Sequence, residues 1–125
     1  ETSKNFPNRD REQQDFLRKY KKGQNIIKVL KEALNSEDHF IRRSAVSLIY
    51  FDKNSVKDKD SLLYLAATIE RDFLIENRST QNLFNFHQNI YYLYRLKKKQ
   101  SLKTIYGSLK NNEDLSFVNS YLTKI

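Results

Sequence analysis

Apolar residues recur at helical spacing along most of the chain, and the clearest pattern lies between residues 24 and 51. The first half of this segment has an apolar stripe at the i, i+1, i+4, i+7 and i+8 positions of a helix, made of Ile26, Ile27, Leu30, Ala33 and Leu34. Ser36 then stands where an N-cap would begin a second helix, whose stripe is Ile41, Ala45, Leu48 and Ile49. Because the connection is so short, residues 24–51 are predicted to form an antiparallel helical hairpin.

One further helix is predicted before this hairpin. Residues 1–8 form a lead-in without periodicity, whereas residues 9–23 carry a narrow apolar stripe that includes Phe16 and Tyr20. Gly23 stands where a left-handed residue often ends a helix. The other faces of this helix are charged, so we interpret residues 9–23 as a capping helix over one end of a helical stack.

A second hairpin unit, residues 61–99, is predicted after a charged loop at residues 52–60. It combines a helix over residues 61–75 with a long helix that Thr80 caps and that runs to Lys99. Apolar residues lie on two sides of the long helix, which is typical of an element with neighbours on both sides. The long helix is therefore predicted to be central in the stack.

The last unit, residues 101–125, repeats the pattern of the first hairpin. A shift of 75 residues places Leu30 on Ile105, and after one extra turn residue a shift of 76 places Asp38 on Asp114. This spacing is about twice the ~40 residues of repeats built from helix pairs. Three successive hairpins are therefore predicted.

The first hairpin resembles the HEAT-like α-solenoid repeats. The resemblance rests on apolar residues in the first helix, an aspartate in the turn, and a β-branched residue followed by arginine, alanine and leucine in the second helix: Leu30, Ala33, Leu34, Asp38, Ile41, Arg42, Ala45 and Leu48. It implies a structural role for Arg42 in linking the turn to the next unit. The expected fold is all-α in a single domain, 1–125, with about seven helices: a capping helix and three antiparallel hairpins stacked as a short right-handed α-solenoid or compact bundle.

Composition agrees with a helical domain and excludes several kinds of site. The 125 residues fit one domain, and two glycines and one proline are too few for a many-stranded sandwich. The absence of cysteine excludes disulfides, thiolate metal sites and cysteine nucleophiles. Neither a zinc-protease motif, a glycine-rich phosphate loop nor a nucleophile elbow occurs, and His87 lies on an apolar stripe. We therefore predict no enzymatic activity, no cofactor and no metal site.

The net charge of +8 is concentrated at the two ends of the chain. Residues 1–35 carry nine basic and five acidic side chains, and residues 91–125 carry seven and two. Basic ends suit nucleic acid or an anionic membrane surface, and residues 91–99 mix tyrosines with basic residues as single-strand binders do. Helix packing and the helix dipole explain the same run, so this function is kept as the alternative.

The favoured partner is another protein or a peptide. The long helix has a polar face opposite its apolar stripe, with residues three and four apart: Asn85, Asn89, Tyr92, Arg95 and Lys99. Amide, tyrosine and arginine side chains of this kind are suited to adaptable hydrogen bonding with a partner. Arg43, which points away from the first hairpin's stripe, and Tyr50, beside the charged loop, are further candidates.

No apolar run has the length of a membrane span or a signal peptide. Because the chain begins with Glu1, Thr2 and Ser3, we interpret it as an excised or processed segment of a cytoplasmic or bacterial cell-envelope protein. Abundant Lys, Asn, Ile, Phe and Tyr indicate AT-rich bacterial coding.

Overall fold

The computed structural model describes residues 6–52 and 58–125, and all regular secondary structure in those residues is helical. Seven helices follow one another in the described ranges: α1 (Arg9–Lys22), α2 (Ile26–Leu34), α3 (His39–Phe51), α4 (Lys59–Glu76), α5 (Thr80–Arg95), α6 (Lys99–Ser108) and α7 (Asn112–Leu122). The predicted all-α class and number of helices are confirmed for this part of the chain.

The chain divides into two compact units, residues 1–59 and 60–125, and each is described by itself. The boundary falls at the first residue of α4. Most of the predicted charged loop, at residues 53–57, lies outside the described residues, and the end of that loop is instead helical. The single-domain organisation stays a prediction.

The first unit is a helix pair, α2 and α3, against which α1 also packs. Its core consists of the two apolar stripes read from the sequence, and the least exposed members are Leu30, Leu34, Ile41, Ala45 and Ile49. Helix α1 adds Phe16 and Tyr20 to this core. At its end Gly23 has a φ of 74°, and its N–H donates to the carbonyl of Tyr20, so the glycine stops the helix as expected.

The start of α3 differs from the prediction, because Asp38 rather than Ser36 is the N-cap. The Asp38 carboxylate accepts a hydrogen bond of 2.9 Å from the N–H of Phe40. Ser36 accepts from the N–H of Asp38 at 3.1 Å and donates to the carboxylate of Glu12 at 2.6 Å. Ser36 therefore fastens the turn to α1, and the helix begins two residues later than an N-cap at Ser36 would place it.

In the second unit, α5 packs against α6 and α7, which also pack against each other. Helix α4 is joined to α5 by a hydrogen bond of 3.3 Å from the Asn85 side-chain amide to the Glu70 carboxylate. The core of this unit is apolar apart from such polar contacts, and its solvent-free members include Leu63, Ala67, Phe86, Ile90, Leu93, Leu102, Ile105 and Val118.

Both predicted ends of the long helix were wrong. Ser79, not Thr80, is the N-cap and accepts a hydrogen bond of 3.1 Å from the N–H of Asn82. At the other end α5 stops at Arg95, because Lys97 takes a left-handed conformation with a φ of 57°. The N–H groups of Lys97 and Lys98 then bind the carbonyls of Tyr94 and Leu93 at 2.9 Å, which is the Schellman pattern of helix termination.

Candidate interaction surface

The face of α5 predicted to meet a partner is largely buried. Asn85, Asn89 and Tyr92 are only 2%, 1% and 7% exposed, so the prediction that they lie on an open polar face is wrong. Arg95 is exposed near the end of α5. Lys99 is also exposed, but it is the first residue of α6 and does not continue the α5 face.

Polar groups in the second unit explain this inversion. The carboxylate of Glu70 in α4 is buried and accepts the hydrogen bond from Asn85. The side-chain amide of Asn82 donates at 2.9 Å to the carbonyl of Asn77, which follows α4. Since amides pair readily with such groups, asparagines can face the protein interior where the sequence pattern assigns them to solvent.

The open face of α5 is aromatic instead of amide-rich. We define the aromatic–basic surface as His87, Tyr91, Tyr94 and Arg95 of α5 together with Phe117, Tyr121 and Lys124 in and after α7. Its rings form a continuous set of contacts: His87 stacks on Phe117 at 3.8 Å, Phe117 meets Tyr121 edge-on at 5.3 Å, and Tyr121 lies 4.8 Å from Tyr94. Tyr91 completes the set and is itself exposed.

Cations lie over two of these rings. The Arg95 guanidinium is 5.9 Å from the centroid of Tyr91 and donates a hydrogen bond of 3.3 Å to its hydroxyl. The Lys124 ammonium is 5.3 Å from the centroid of Tyr121. Such contacts hold cations over aromatic faces while their outer sides stay in water. The surface therefore presents fixed positive charge beside tyrosine.

A cleft of about 460 Å³ opens at the end of this surface. It is lined by Tyr94, Arg95, Lys97, Lys124 and Ile125, and none of these side chains is acidic. Three cations in one concave region attract an anionic group on a partner. The cleft gives the aromatic–basic surface a preferred electrostatic sign.

His87 lies at the inner edge of this surface and is half-buried. Burial lowers the pKa of His87 below its ordinary value; the charge of Asp114 opposes this effect and that of Arg78 adds to it. The imidazole is therefore neutral near neutral pH and acts as a flat ring that packs on Phe117. This agrees with the expectation that His87 belongs to packing, on which its position on the stripe was based.

In the first unit, Arg42 and Arg43 differ as expected. Arg42 is fully buried, and its Nη1 donates to the carbonyl of Ser36 at 2.7 Å and of Glu37 at 3.2 Å, so its role is structural. Arg43 and Tyr50 are half-buried on α3, and the Tyr50 ring meets Phe51 edge-on at 4.8 Å. Partner binding by Arg43 and Tyr50 stays a prediction.

Phe117, Tyr121 and Lys124 are missing from the candidates named from sequence. They are spaced four and three residues apart, which places them on one face of α7 and its C-terminal continuation. The repeat comparison had assigned Phe117 and Tyr121 to the core positions of Ile41 and Ala45. That spacing, with a lysine continuing the stripe, is the signal that could have identified them.

The sequence matches no known family of proteins, and neither a curated protein nor a solved structure shows significant similarity to it. Within the described ranges, no helix combines the length and the apolar character that crossing a lipid bilayer requires. The same residues contain no cluster of three or more histidine, aspartate or glutamate side chains arranged to hold a metal ion.

Proposed function

We propose that this chain is a non-enzymatic scaffold or adaptor, built from helical repeats of the HEAT-like kind, that holds a protein or peptide partner on its aromatic–basic surface. The observation that carries the proposal is the joining of Tyr91 and Arg95 on α5 with Tyr121 and Lys124 after it in the chain. Tyrosine and arginine are the residues in which binding energy at protein interfaces is most often concentrated.

The charge of the neighbouring cleft indicates the sign of the partner. Arg95, Lys97 and Lys124 line it without an acidic side chain, so an acidic segment would gain both affinity and association rate. Aromatic side chains of the partner could pack on the exposed edge of Tyr91. An acidic peptide with aromatic or apolar residues is the proposed class of ligand.

A single-stranded nucleic acid is the alternative, because tyrosines beside cations can stack on bases. Base stacking needs an open ring face, and here the face of Phe117 is covered by His87 while the tyrosines tilt against one another. These contacts favour edge and hydrogen-bond interactions with a peptide. The nucleic-acid function is therefore the second choice.

The test is selection of binders from a random peptide library, followed by affinity measurements on the variant Tyr91→Ala/Arg95→Ala. The matched control is Tyr106→Ala/Lys103→Ala, which removes an exposed tyrosine and a cation from α6. We expect acidic peptides to be selected, and the first variant to bind them at least about tenfold more weakly while the control binds normally.

Equal affinity of the wild type and the Tyr91→Ala/Arg95→Ala variant for every selected peptide would overturn the proposal. A random-sequence single-stranded oligonucleotide provides the second arm. If it binds with affinity that falls steeply with added salt and is lost in the same variant, the nucleic-acid alternative is favoured. Circular dichroism and thermal melting of each variant separate lost binding from lost folding.

A further inference from the structure

A second cleft, away from the residues of the aromatic–basic surface, lies in the second unit where the end of α4 meets the turn between α6 and α7. Its volume is about 440 Å³, which is within the range of ligand pockets in proteins. The residues that matter for the argument are Arg71, Leu74, Ile75, Arg78, Leu109 and Lys110.

The apolar part of this cleft has an unusually exposed member. Ile75 is 78% exposed, although Leu74 beside it is buried and Leu109 is half-buried. An isoleucine at the mouth of a cleft, with further aliphatic surface behind it, gains free energy when another apolar side chain covers it. The cleft therefore offers a contact for one large aliphatic side chain.

Three cations from three different segments surround that contact. Arg71 is held by a hydrogen bond of 2.8 Å to the hydroxyl of Ser108 and also pairs with Asp72, while Arg78 is held by Asp114. Lys110 is exposed and makes no ion pair within the described part of the chain. Asp114 is the one acidic residue among those that line the cleft, and it is buried against Arg78. The open side of the cleft is thus positive.

The backbone of the turn between α6 and α7 supplies a third element. Leu109 and Asn111 have extended φ and ψ angles of −88° and 150° and of −79° and 128°. In the described residues, no backbone hydrogen bond uses the N–H or the carbonyl of Lys110, which lies between them. An extended segment with free backbone groups can pair with an extended peptide in the manner of an added strand.

We propose that this cleft binds an extended peptide segment in which a large aliphatic residue stands next to an acidic residue. The aliphatic side chain would pack on Leu74, Ile75 and Leu109, and the carboxylate would lie among Arg71, Arg78 and Lys110. The backbone of the segment would pair with that of Lys110. This proposal is independent of binding at the aromatic–basic surface, because it uses none of the same residues.

The probe is a short capped peptide with a leucine followed by an aspartate, titrated into the isotope-labelled full chain and followed by amide chemical shifts. We expect the largest shifts at residues 74–75 and 108–111, with none of comparable size at Tyr91 or Tyr121. Ile75→Ser and Lys110→Glu should each weaken binding about tenfold or more. Replacement of the aspartate by asparagine in the probe should weaken it likewise.

Two matched controls lie outside the cleft. Lys103→Glu makes the same charge change on the exposed side of α6, and Ile27→Ser removes an exposed isoleucine from α2. Both should leave the peptide affinity unchanged. Shifts absent at residues 74–75 and 108–111, equal affinity of Ile75→Ser and wild type, or equal affinity of the aspartate and asparagine peptides would each overturn the proposal. Tyr91→Ala/Arg95→Ala should bind this probe normally, so the outcome is separable from that of the first surface.

Discussion

Arg78 and Asp114 form an ion pair with two parallel hydrogen bonds, from Nη1 to Oδ2 at 3.0 Å and from Nη2 to Oδ1 at 2.8 Å. The first unit contains the same arrangement, in which Nε and Nη2 of Arg9 each donate to the Asp38 carboxylate at 2.7 Å. Both aspartates are buried at the start of a helix, and the repeat comparison aligned them with each other. Each pair holds the start of the last helix in its unit to a residue earlier in the chain.

Removal of the Arg78 side chain should destabilise the protein by about 2 kcal/mol. Asp114 would lose two charge-assisted hydrogen bonds and keep a buried charge, although partial exposure of Arg78 limits the loss. The measurement is urea unfolding of Arg78→Ala, Asp114→Ala and the double variant. We expect the double variant to be less destabilised than the sum of the single ones, with a coupling of about 1 kcal/mol or more. Strict additivity would show that the pair contributes no interaction of its own.

Arg42 and Arg43 are adjacent, yet their replacement by alanine should have different effects. Arg42→Ala removes the largest fully buried side chain and the donor for two turn carbonyls, so we expect it to destabilise the first unit by about 2–4 kcal/mol. Arg43→Ala should change the free energy of unfolding by about 1 kcal/mol or less, because Arg43 is only half-buried. Denaturant unfolding followed by helical circular dichroism compares the two. Similar losses in both variants would contradict the structural role assigned to Arg42.

The parts of the fold that were predictable are those in which one face of a helix is consistently apolar. Leu30, Leu34, Ile41 and Ile49 are buried because their spacing leaves no other arrangement that removes them from water. Gly23 could likewise be recognised as a helix end, since a left-handed residue there favours glycine. Where residue chemistry and helical periodicity agree, the sequence contained the answer.

The candidate site was mostly missed because its burial depends on partners that lie elsewhere in the sequence. Asn85 is buried by its hydrogen bond to Glu70 of another helix, and no local pattern contains that partner. The end of α5 was missed because Lys97 adopts a left-handed conformation that lysine seldom takes. With that helix extended to Lys99, the polar face was assigned to solvent and the aromatic one to packing.

His87 should make the second unit less stable as the pH falls below about 6.5, the ordinary pKa of histidine. Burial lowers the pKa of His87 in the folded chain, so the unfolded chain binds the proton more readily. The stabilisation from the neutral ring is fully present above the unfolded pKa and is lost as the pH falls through that value towards the folded pKa. Denaturant unfolding at a series of pH values measures this loss.

The variant His87→Phe tests the assignment of this pH dependence. Phenylalanine keeps a flat ring against Phe117 but does not titrate, so the stability of the variant should fall less than that of the wild type between about pH 7 and pH 5.5. His39, whose pKa is also lowered by burial, adds a loss of the same sign in both proteins and cancels in the comparison. Identical pH profiles for wild type and variant would exclude His87 as the source.

Asn89 offers the opposite kind of change, a substitution that should stabilise the protein. It is 1% exposed, and its side-chain amide nitrogen has no hydrogen-bond partner within the described residues. A buried donor without a partner is unfavourable, whereas leucine has a similar size and would pack with the surrounding apolar core. We expect Asn89→Leu to raise the free energy of unfolding by about 1 kcal/mol, measured by urea unfolding. The control Asn119→Leu, at an exposed position of α7, should change it by less than about 0.5 kcal/mol. A loss of stability in Asn89→Leu, with no change in the control, would mean that the amide oxygen of Asn89 stabilises the fold more than its unpaired nitrogen destabilises it.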